Sequence, residues 1–363
     1  MEKLAVVGTG LIGASVALAA AQAGARVAGW DPDPDALAAA VERGAVAEPA
    51  GSLAAAVAGA ELVVVAAPIA QLPAQVAAVL EEAGDATVTD VGSTKSSVVA
   101  AAAGSPRFVG GHPLAGSEAR GAEHANADLF RGATWFLTPT AHTEAARHRL
   151  VHGFVADLGA TPIAIDADAH DRLVALTSHV PHVLANVIAN QLGGATVEGH
   201  DPLLNAGGAL RDMTRIAGAN PRIWVDILLD NADKVAAALA EHRRRVEQAE
   251  AALIAGDAGF LARWIGDAAG NRRRMLDTAY PDPGALQRLR VHVPDRPGVL
   301  AGITQALGAA RINIEDFEMH HVSPERGGTL TVLVTGEDDA RRAAELLETQ
   351  GYSVVVTAVL DAD

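Results

Sequence analysis

Cysteine is absent from the 363 residues, which excludes disulfides, thiolate nucleophiles, iron–sulfur clusters and cysteine-ligated zinc. Aromatic residues are scarce at 3%, yet 50% of the chain is hydrophobic and 20% charged, the composition of folded rather than disordered protein. Lysine is rare too, with three against 25 arginines. The formal charge of -16 opposes general affinity for nucleic acid, which needs cations against phosphates, so any small anion has to be held locally. No apolar run reaches the roughly 18 residues of a membrane helix, because Glu61 and scattered glycines and prolines interrupt the best candidates. The stretch up to Ala25 has the outline of a signal peptide, but three of its glycines fall where another architecture requires them. The expectation is a cytoplasmic protein with neither nucleic-acid nor membrane partner.

What is present alternates. Lys3-Leu-Ala-Val-Val-Gly8 is a short apolar run followed by an Ala-rich helical stretch from Leu11 to about Ala23. Further strands are predicted at Arg26 to Trp30, Leu62 to Ala67, Ala86 to Asp90, Arg107 to Gly110 and Thr134 to Thr138. Such alternation predicts a parallel sheet covered on both faces. From about His170 to Asp277 the pattern is helical and nearly free of strand signal, and Tyr280-Pro-Asp-Pro-Gly284 reads as a linker. Beyond it, strands and helices in the order βαββαβ make a small unit. The predicted division is 1–168, 169–280, a linker at 281–286, and 287–363. Net charges of -9, -2 and -5 over 1–168, 169–286 and 287–363 place the cations in the helical segment. Arg243–Arg245 and Arg272–Arg274 are read as solvated helix faces.

Gly8-Thr9-Gly10-Leu11-Ile12-Gly13 directly follows a strand and opens a helix. The first glycine permits the tight turn, the second lets a pyrophosphate approach, and the third lets helix and strand pack closely. Phosphate oxygens then meet the free N–H groups of the helix start, Leu11 and Ile12 included. Asp31, ending the second strand, is placed to accept from a ribose 2′-hydroxyl and to repel a 2′-phosphate, favouring NAD over NADP.

Three further segments carry a closer likeness. They are Asp90-Val-Gly-Ser-Thr-Lys95, Gly111-His-Pro-Leu-Ala-Gly-Ser-Glu118, and Thr177-Ser-His-Val-Pro-His182 with Arg211-Asp-Met-Thr-Arg-Ile-Ala217. Over residues 1 to about 280 the chain resembles the prephenate dehydrogenase family, including its arogenate-using relatives. The resemblance implies an α/β Rossmann-type dinucleotide-binding domain, an all-α dimerisation domain, and NAD-dependent oxidative decarboxylation of prephenate in tyrosine biosynthesis. One departure is Trp224-Val225-Asp226, where the family often has arginine in the middle, which puts in doubt any salt bridge from position 225.

The residues make chemical sense beside the name. Oxidising a ring hydroxyl needs a base for its proton while hydride leaves the same carbon, and a neutral histidine suits that task near pH 7. His112, expected in a Gly/Pro-rich loop after a strand, is the candidate base. The resemblance places Ser93 beside the substrate hydroxyl and nicotinamide, with a turn or helix cap as its rival role. Lys95 is either a ligand contact or a helix-start or sheet anchor, and Glu118 either orients a substrate-binding group or is a surface carboxylate. His179 and His182 share a helical face around Pro181; metal binding is set aside because no third ligand lies nearby. By resemblance His182 serves the substrate side chain with His179 behind it, Arg215 grips a carboxylate, and Arg211 supports it or makes a surface pair. Apolar helical stretches such as Val183–Ile188 and Trp224–Leu229 suggest a homodimer.

The C-terminal segment carries its own motifs, Val293-Pro-Asp-Arg-Pro-Gly-Val-Leu300 and Ile312-Asn-Ile314. It resembles an ACT domain, an α+β amino-acid-sensing module. Gly298 is expected to let a backbone come close, while Asp295 and Asn313 offer groups for an amino acid's amine and carboxylate. Tyrosine is the expected effector, with phenylalanine and a purely dimerising module as alternatives. Two rival readings of the whole chain remain. A β-hydroxy-acid dehydrogenase needs a catalytic lysine in the helical segment, which holds only Lys234. A non-catalytic sensor of NAD and an amino acid would produce no NADH.

Overall fold

The computed structural model describes residues 1–116, 119–277, 280, 282–323 and 327–359. The chain forms two compact units, 1–245 and 246–363.

In the first unit, β1 (Lys3–Val7), β2 (Arg26–Trp30), β3 (Glu48–Pro49), β4 (Leu62–Val65), β5 (Thr87–Asp90), β6 (Phe108–Pro113), β7 (Thr134–Thr138) and β8 (Thr161–Ala164) make one sheet. Its order is β3-β2-β1-β4-β5-β6-β7-β8, parallel throughout except at β6 and β7. Along β1, Leu4 and Val6 enter one apolar cluster while Ala5 and Val7 enter the other, and β4 divides in the same way. Both faces are therefore dry, which is why these strands read as unbroken apolar runs. Helices α1 (Leu11–Gln22), α2 (Pro34–Glu42), α3 (Leu53–Val57), α4 (Leu72–Glu82), α5 (Ser96–Ala101) and α6 (Ala145–Asp157) supply the cover. Residues of α1, α2 and α6 fill one cluster, and those of α3, α4 and α5 the other. The alanines of α1 bury almost completely, letting its axis lie close to the sheet. Side-chain caps fix several helix starts: Asp33 accepts from Asp35 N at 3.0 Å and Ser52 from Ala55 N at 3.2 Å.

Two strand expectations change. β8 escapes the sequence pattern because Thr161-Pro-Ile-Ala164 is short and contains proline, tolerable here only at the sheet edge. β6 runs on to Pro113 because antiparallel β7 pairs with it, His112 facing Phe136 across the ladder. His112 thus sits in the strand itself, not in the loop beyond it.

A long helix follows: α7 (Ala167–Val174), a π-helical turn at Ala175–His179, and α8 (Val180–Gly193). Asp166 caps its start through Asp168 N and Ala169 N, and Pro181, which has no N–H to donate, lies just after the π-helical turn. An 18-residue window of this helix, with mean hydropathy 1.2, is long and apolar enough to cross a membrane, contrary to the reading of the sequence. Its buried His170, Asp171 and His179 are hydrogen-bonded within the first unit, and we read it as a packing helix. α9 (Gly208–Thr214), a 3₁₀ turn at Arg215–Gly218 and α10 (Pro221–Asp230) lead to α11 (Ala232–Ala255), within which the boundary between units falls.

The second unit contains α12 (Ala258–Asp277) and a four-stranded antiparallel sheet. β9 (Leu286–Val293), α13 (Val299–Ala309), β10 (Asp316–Ser323), β11 (Gly327–Thr335), α14 (Glu337–Thr349) and β12 (Ser353–Ala358) follow the βαββαβ order, with sheet order β10-β11-β9-β12. Leu289, Val291 and Val293 alternate with exposed Arg290 and His292, and pack with Leu330, Val332 and Val334 beneath α13 and α14. The two helices cover one face of this sheet, and among the described residues Arg290 and His292 of β9 are exposed on the other, as the alternation requires.

Candidate active site

The glycine turn lies between β1 and α1. Gly8 has φ +92°, and a Cβ there would lie 2.3 Å from the Ala66 carbonyl oxygen. At Gly13 a Cβ would come within 2.0 Å of the Gly8 carbonyl oxygen, so the helix packs on its own turn only without a side chain. Gly10 differs, since a Cβ there meets nothing within 4 Å. It faces a cleft of about 630 Å³ lined also by Asp31, Ser93, Gly116, Arg120 and Ile223. The first α-helical hydrogen bond runs from Ala14 N to Gly10 O at 2.8 Å. Among the described residues, the N–H groups of Leu11, Ile12 and Gly13 therefore have no partner and are free for phosphate oxygens. The donor set and the open face of Gly10 fit the pyrophosphate of NAD. Gly10→Ala is expected to leave the melting temperature unchanged but raise the Michaelis constant for NAD about tenfold or more, because the methyl occupies the phosphate's approach. An unchanged constant would place the cofactor elsewhere.

Asp31 has a second task. Its Oδ2 accepts from Thr9 N at 2.6 Å and Thr9 Oγ1 at 3.1 Å, and Oδ1 accepts from Asp33 N at 2.9 Å. The carboxylate ties the glycine turn to the end of β2. A carboxylate has about four acceptor positions, so one remains for a ribose hydroxyl.

On β6, half-buried His112 directs Nδ1 to His170 Nε2 at 2.8 Å, and His170 Nδ1 lies 2.8 Å from Asp171 Oδ1. Asp171 also accepts from Lys95 N at 2.8 Å and Ser96 N at 2.7 Å, capping α5, whose own N-cap residue has no capping side chain. Burial pushes His112 well below the ordinary histidine value of 6.5, reinforced by His170, Lys95 and His179 and opposed by Asp171. Burial raises Asp171, but hydrogen bonds from His170, Ser96 and Lys95 outweigh it and bring the carboxyl from 3.8 to about 2. His112 is consequently a neutral imidazole at neutral pH. His170 and Asp171 were not singled out from sequence; their only signal is a histidine next to an aspartate where the helical pattern begins.

Lys95 is fully buried. Its ammonium pairs with Asp90 Oδ2 and donates to the Gly111 carbonyl at 2.7 Å, so it anchors β5 to β6. Burial pulls it below its ordinary 10.5, against Asp90. Ser93 lines the cleft, and among the described residues its hydroxyl has no hydrogen-bond partner. Glu118 lies outside the described residues.

His179 and His182 do not act as a pair. His179 is buried, with Nδ1 3.2 Å from Asn231 Nδ2, and burial takes it from 6.5 to about 4. His182 stacks on Trp224, ring centroids 3.4 Å apart. Burial lowers His182, opposed by its hydrogen bond with the Ile216 backbone, which ties it to the turn carrying Arg215. Arg215 is exposed and, among the described residues, makes no ion pair; Arg211 is exposed one helical turn earlier.

Stability should depend on acid accordingly. As pH falls below 6.5 the unfolded chain protonates histidines that His112 and His179 resist protonating when folded, so stability drops from 6.5 toward about 4. Asp171 adds a loss as pH falls from 3.8 toward about 2. Denaturant titrations between pH 7 and 4 check the first step, and a flat profile would contradict the burial of both imidazoles.

In the second unit, Gly298 begins α13 with φ +89°, and a Cβ there would meet nothing within 4 Å. Its glycine is favoured by the backbone angle. Asn313 donates to Glu315 Oε1 at 2.9 Å, and Asp295 is exposed on the turn before α13.

Comparison with known proteins gives three matches along the chain. The prephenate dehydrogenase nucleotide-binding domain matches residues 16–164, the prephenate dehydrogenase dimerization domain 166–267, and the ACT domain 287–351. A prephenate dehydrogenase of Bacillus subtilis is 32% identical over 361 residues, 96% of each chain. Among solved structures, prephenate dehydrogenase from A. aeolicus, in complex with hydroxyphenyl propionate and NAD+, aligns with TM-score 0.71 at 28% identity, covering 76% of this chain and 98% of that one. Synechocystis arogenate dehydrogenase aligns with TM-score 0.68 at 27% identity, covering 75% and 99%.

Proposed function

Because the chain belongs to the prephenate dehydrogenase family and binds NAD, we propose that it oxidises and decarboxylates prephenate to 4-hydroxyphenylpyruvate, with His112 as general base. The observation that carries the role of His112 is a neutral imidazole at the end of β6, one short loop from Gly116 in the cofactor cleft. When bound there, NAD+ supplies the two-electron acceptor, taking hydride from the carbinol carbon as the ring carboxylate departs as CO2. His112 takes the hydroxyl proton and returns it to the phenolate oxygen once the ring is aromatic, and Ser93 holds the same oxygen. Restoration of aromaticity drives the step, so the protein mainly positions and neutralises charge.

Arg215 is proposed to bind a substrate carboxylate through its planar fork, supported by Arg211, with His182 held ready by Trp224 for the side chain and His179 behind it. Arg215→Ala should raise the Michaelis constant for prephenate about 10–100-fold with turnover nearly kept, and an unchanged constant would remove the contact. Following NADH absorbance with prephenate and with arogenate tests the whole reading and fixes the substrate; no NADH from either would leave the non-catalytic alternative.

We read residues 1–168 as the dinucleotide-binding domain, 169–280 as the helical domain, 281–286 as linker and 287–363 as the regulatory domain. The ACT domain supports a small-molecule effector, and we propose tyrosine, held around Asp295, Gly298 and Asn313. A homodimer through the helical domain is supported by exposed Val187, Ile223 and Leu229. The location proposed for such an NAD-dependent biosynthetic enzyme is the cytoplasm.

A further inference from the structure

We infer that His170 and Asp171 form a proton-positioning relay that fixes the tautomer of His112, holding the proton on Nδ1 and leaving the Nε2 lone pair free to receive the substrate's hydroxyl proton. This rests on the reading of His112 as the base.

The argument follows hydrogen-bond polarity. Asp171 is a carboxylate and can only accept, so its 2.8 Å bond requires the proton of His170 to sit on Nδ1. His170 is fully buried, and in a singly protonated ring with its hydrogen on Nδ1, Nε2 carries the lone pair and can only accept. The 2.8 Å contact with His112 Nδ1 then requires the His112 proton on Nδ1. Nε2 of His112 is left as an acceptor and, among the described residues, has no partner. Asp171 is itself held by the backbone N–H groups of Lys95 and Ser96 and cannot turn away. Phe136 packs against the His170 ring in a T-shaped contact, ring centroids 5.4 Å apart, and restrains its rotation. Proton transfer is balanced: the hydroxyl O–H bond breaks, an Nε2–H bond forms, and the positive charge on His112 is separated from the Asp171 carboxylate by the one imidazole of His170.

The relay makes His170 and Asp171 positioning residues, acting through His112 without touching substrate. The groups whose charge bears on His112 are His170 and Asp171 on α7, Lys95 ahead of α5, and His179 in the π-turn.

The test is nitrogen NMR of the full-length protein labelled with ¹⁵N-histidine, with resonances assigned by comparison with His112→Asn. Wild type should show His112 Nε2 as an unprotonated, pyridine-like nitrogen and Nδ1 as the protonated one. His170→Phe removes the acceptor and should release His112 into mixed tautomers. Its turnover should fall about 100-fold, Michaelis constants should move less than about threefold, and the acid limb of the rate profile should shift. His170→Gln, which keeps an acceptor for His112, should recover part of the lost turnover. A wild-type His112 protonated on Nε2 overturns the relay whatever the variants do, as does His170→Phe with unaltered tautomer and turnover. Should His170→Phe fail to fold, the wild-type spectrum and His170→Gln still decide the matter. Failure of the base assignment is separate: it would show as an active His112→Asn, with the wild-type tautomer still as described.

Discussion

His112→Asn is expected to lower turnover by about 10²–10⁴-fold while leaving Michaelis constants within about threefold. The size follows from what is removed. General base catalysis contributes in that range, and asparagine keeps a polar group of similar reach while losing the capacity to accept a proton at neutral pH. Burial lowers the basicity of the imidazole, so the wild-type enzyme should hold its base form through neutral pH and lose activity only on acidification well below 6.5. Steady-state kinetics of the variant, together with the wild-type rate profile from pH 8 to 5, check both statements. Turnover within a factor of about three of wild type would move the base to another group.

Lys95→Met should destabilise the first unit by about 3–5 kcal/mol, because it leaves a buried carboxylate without its cation. Asp90 accepts from Gly92 N at 2.8 Å and Gly111 N at 3.0 Å, and Lys95 donates to the Gly111 carbonyl at 2.7 Å. The pair therefore knits the end of β5 to β6 at Gly111, one residue before His112. Chemical denaturation measures the loss. A midpoint unchanged alongside a raised prephenate Michaelis constant would restore the ligand role that the sequence left open for this lysine.

Local rules with short range were read directly from the residues. The glycine turn, Asp31, the apolar strands β1, β2 and β4, and the βαββαβ order of the second unit all depend on neighbours within a few positions. Where the outcome depended on distant partners, the reading fell short. Lys95 became an anchor because Asp90 and Gly111 converge on it, and His112 lies in a strand because β7 turns antiparallel onto β6. His170 and Asp171 have no fixed spacing to His112, being brought there by the packing of α7 against α5 and β7. Their roles are written in tertiary geometry that a single chain's pattern does not display.

Burial of Lys95 also has a practical side. The only other lysines are Lys3 and Lys234, and residues 246–363 contain none. Amine-directed reagents applied to the folded protein will consequently modify Lys3, Lys234 and the terminal amine. A dye or surface tether introduced by such chemistry reports on, or immobilises through, residues 1–245 alone, leaving residues 246–363 untouched.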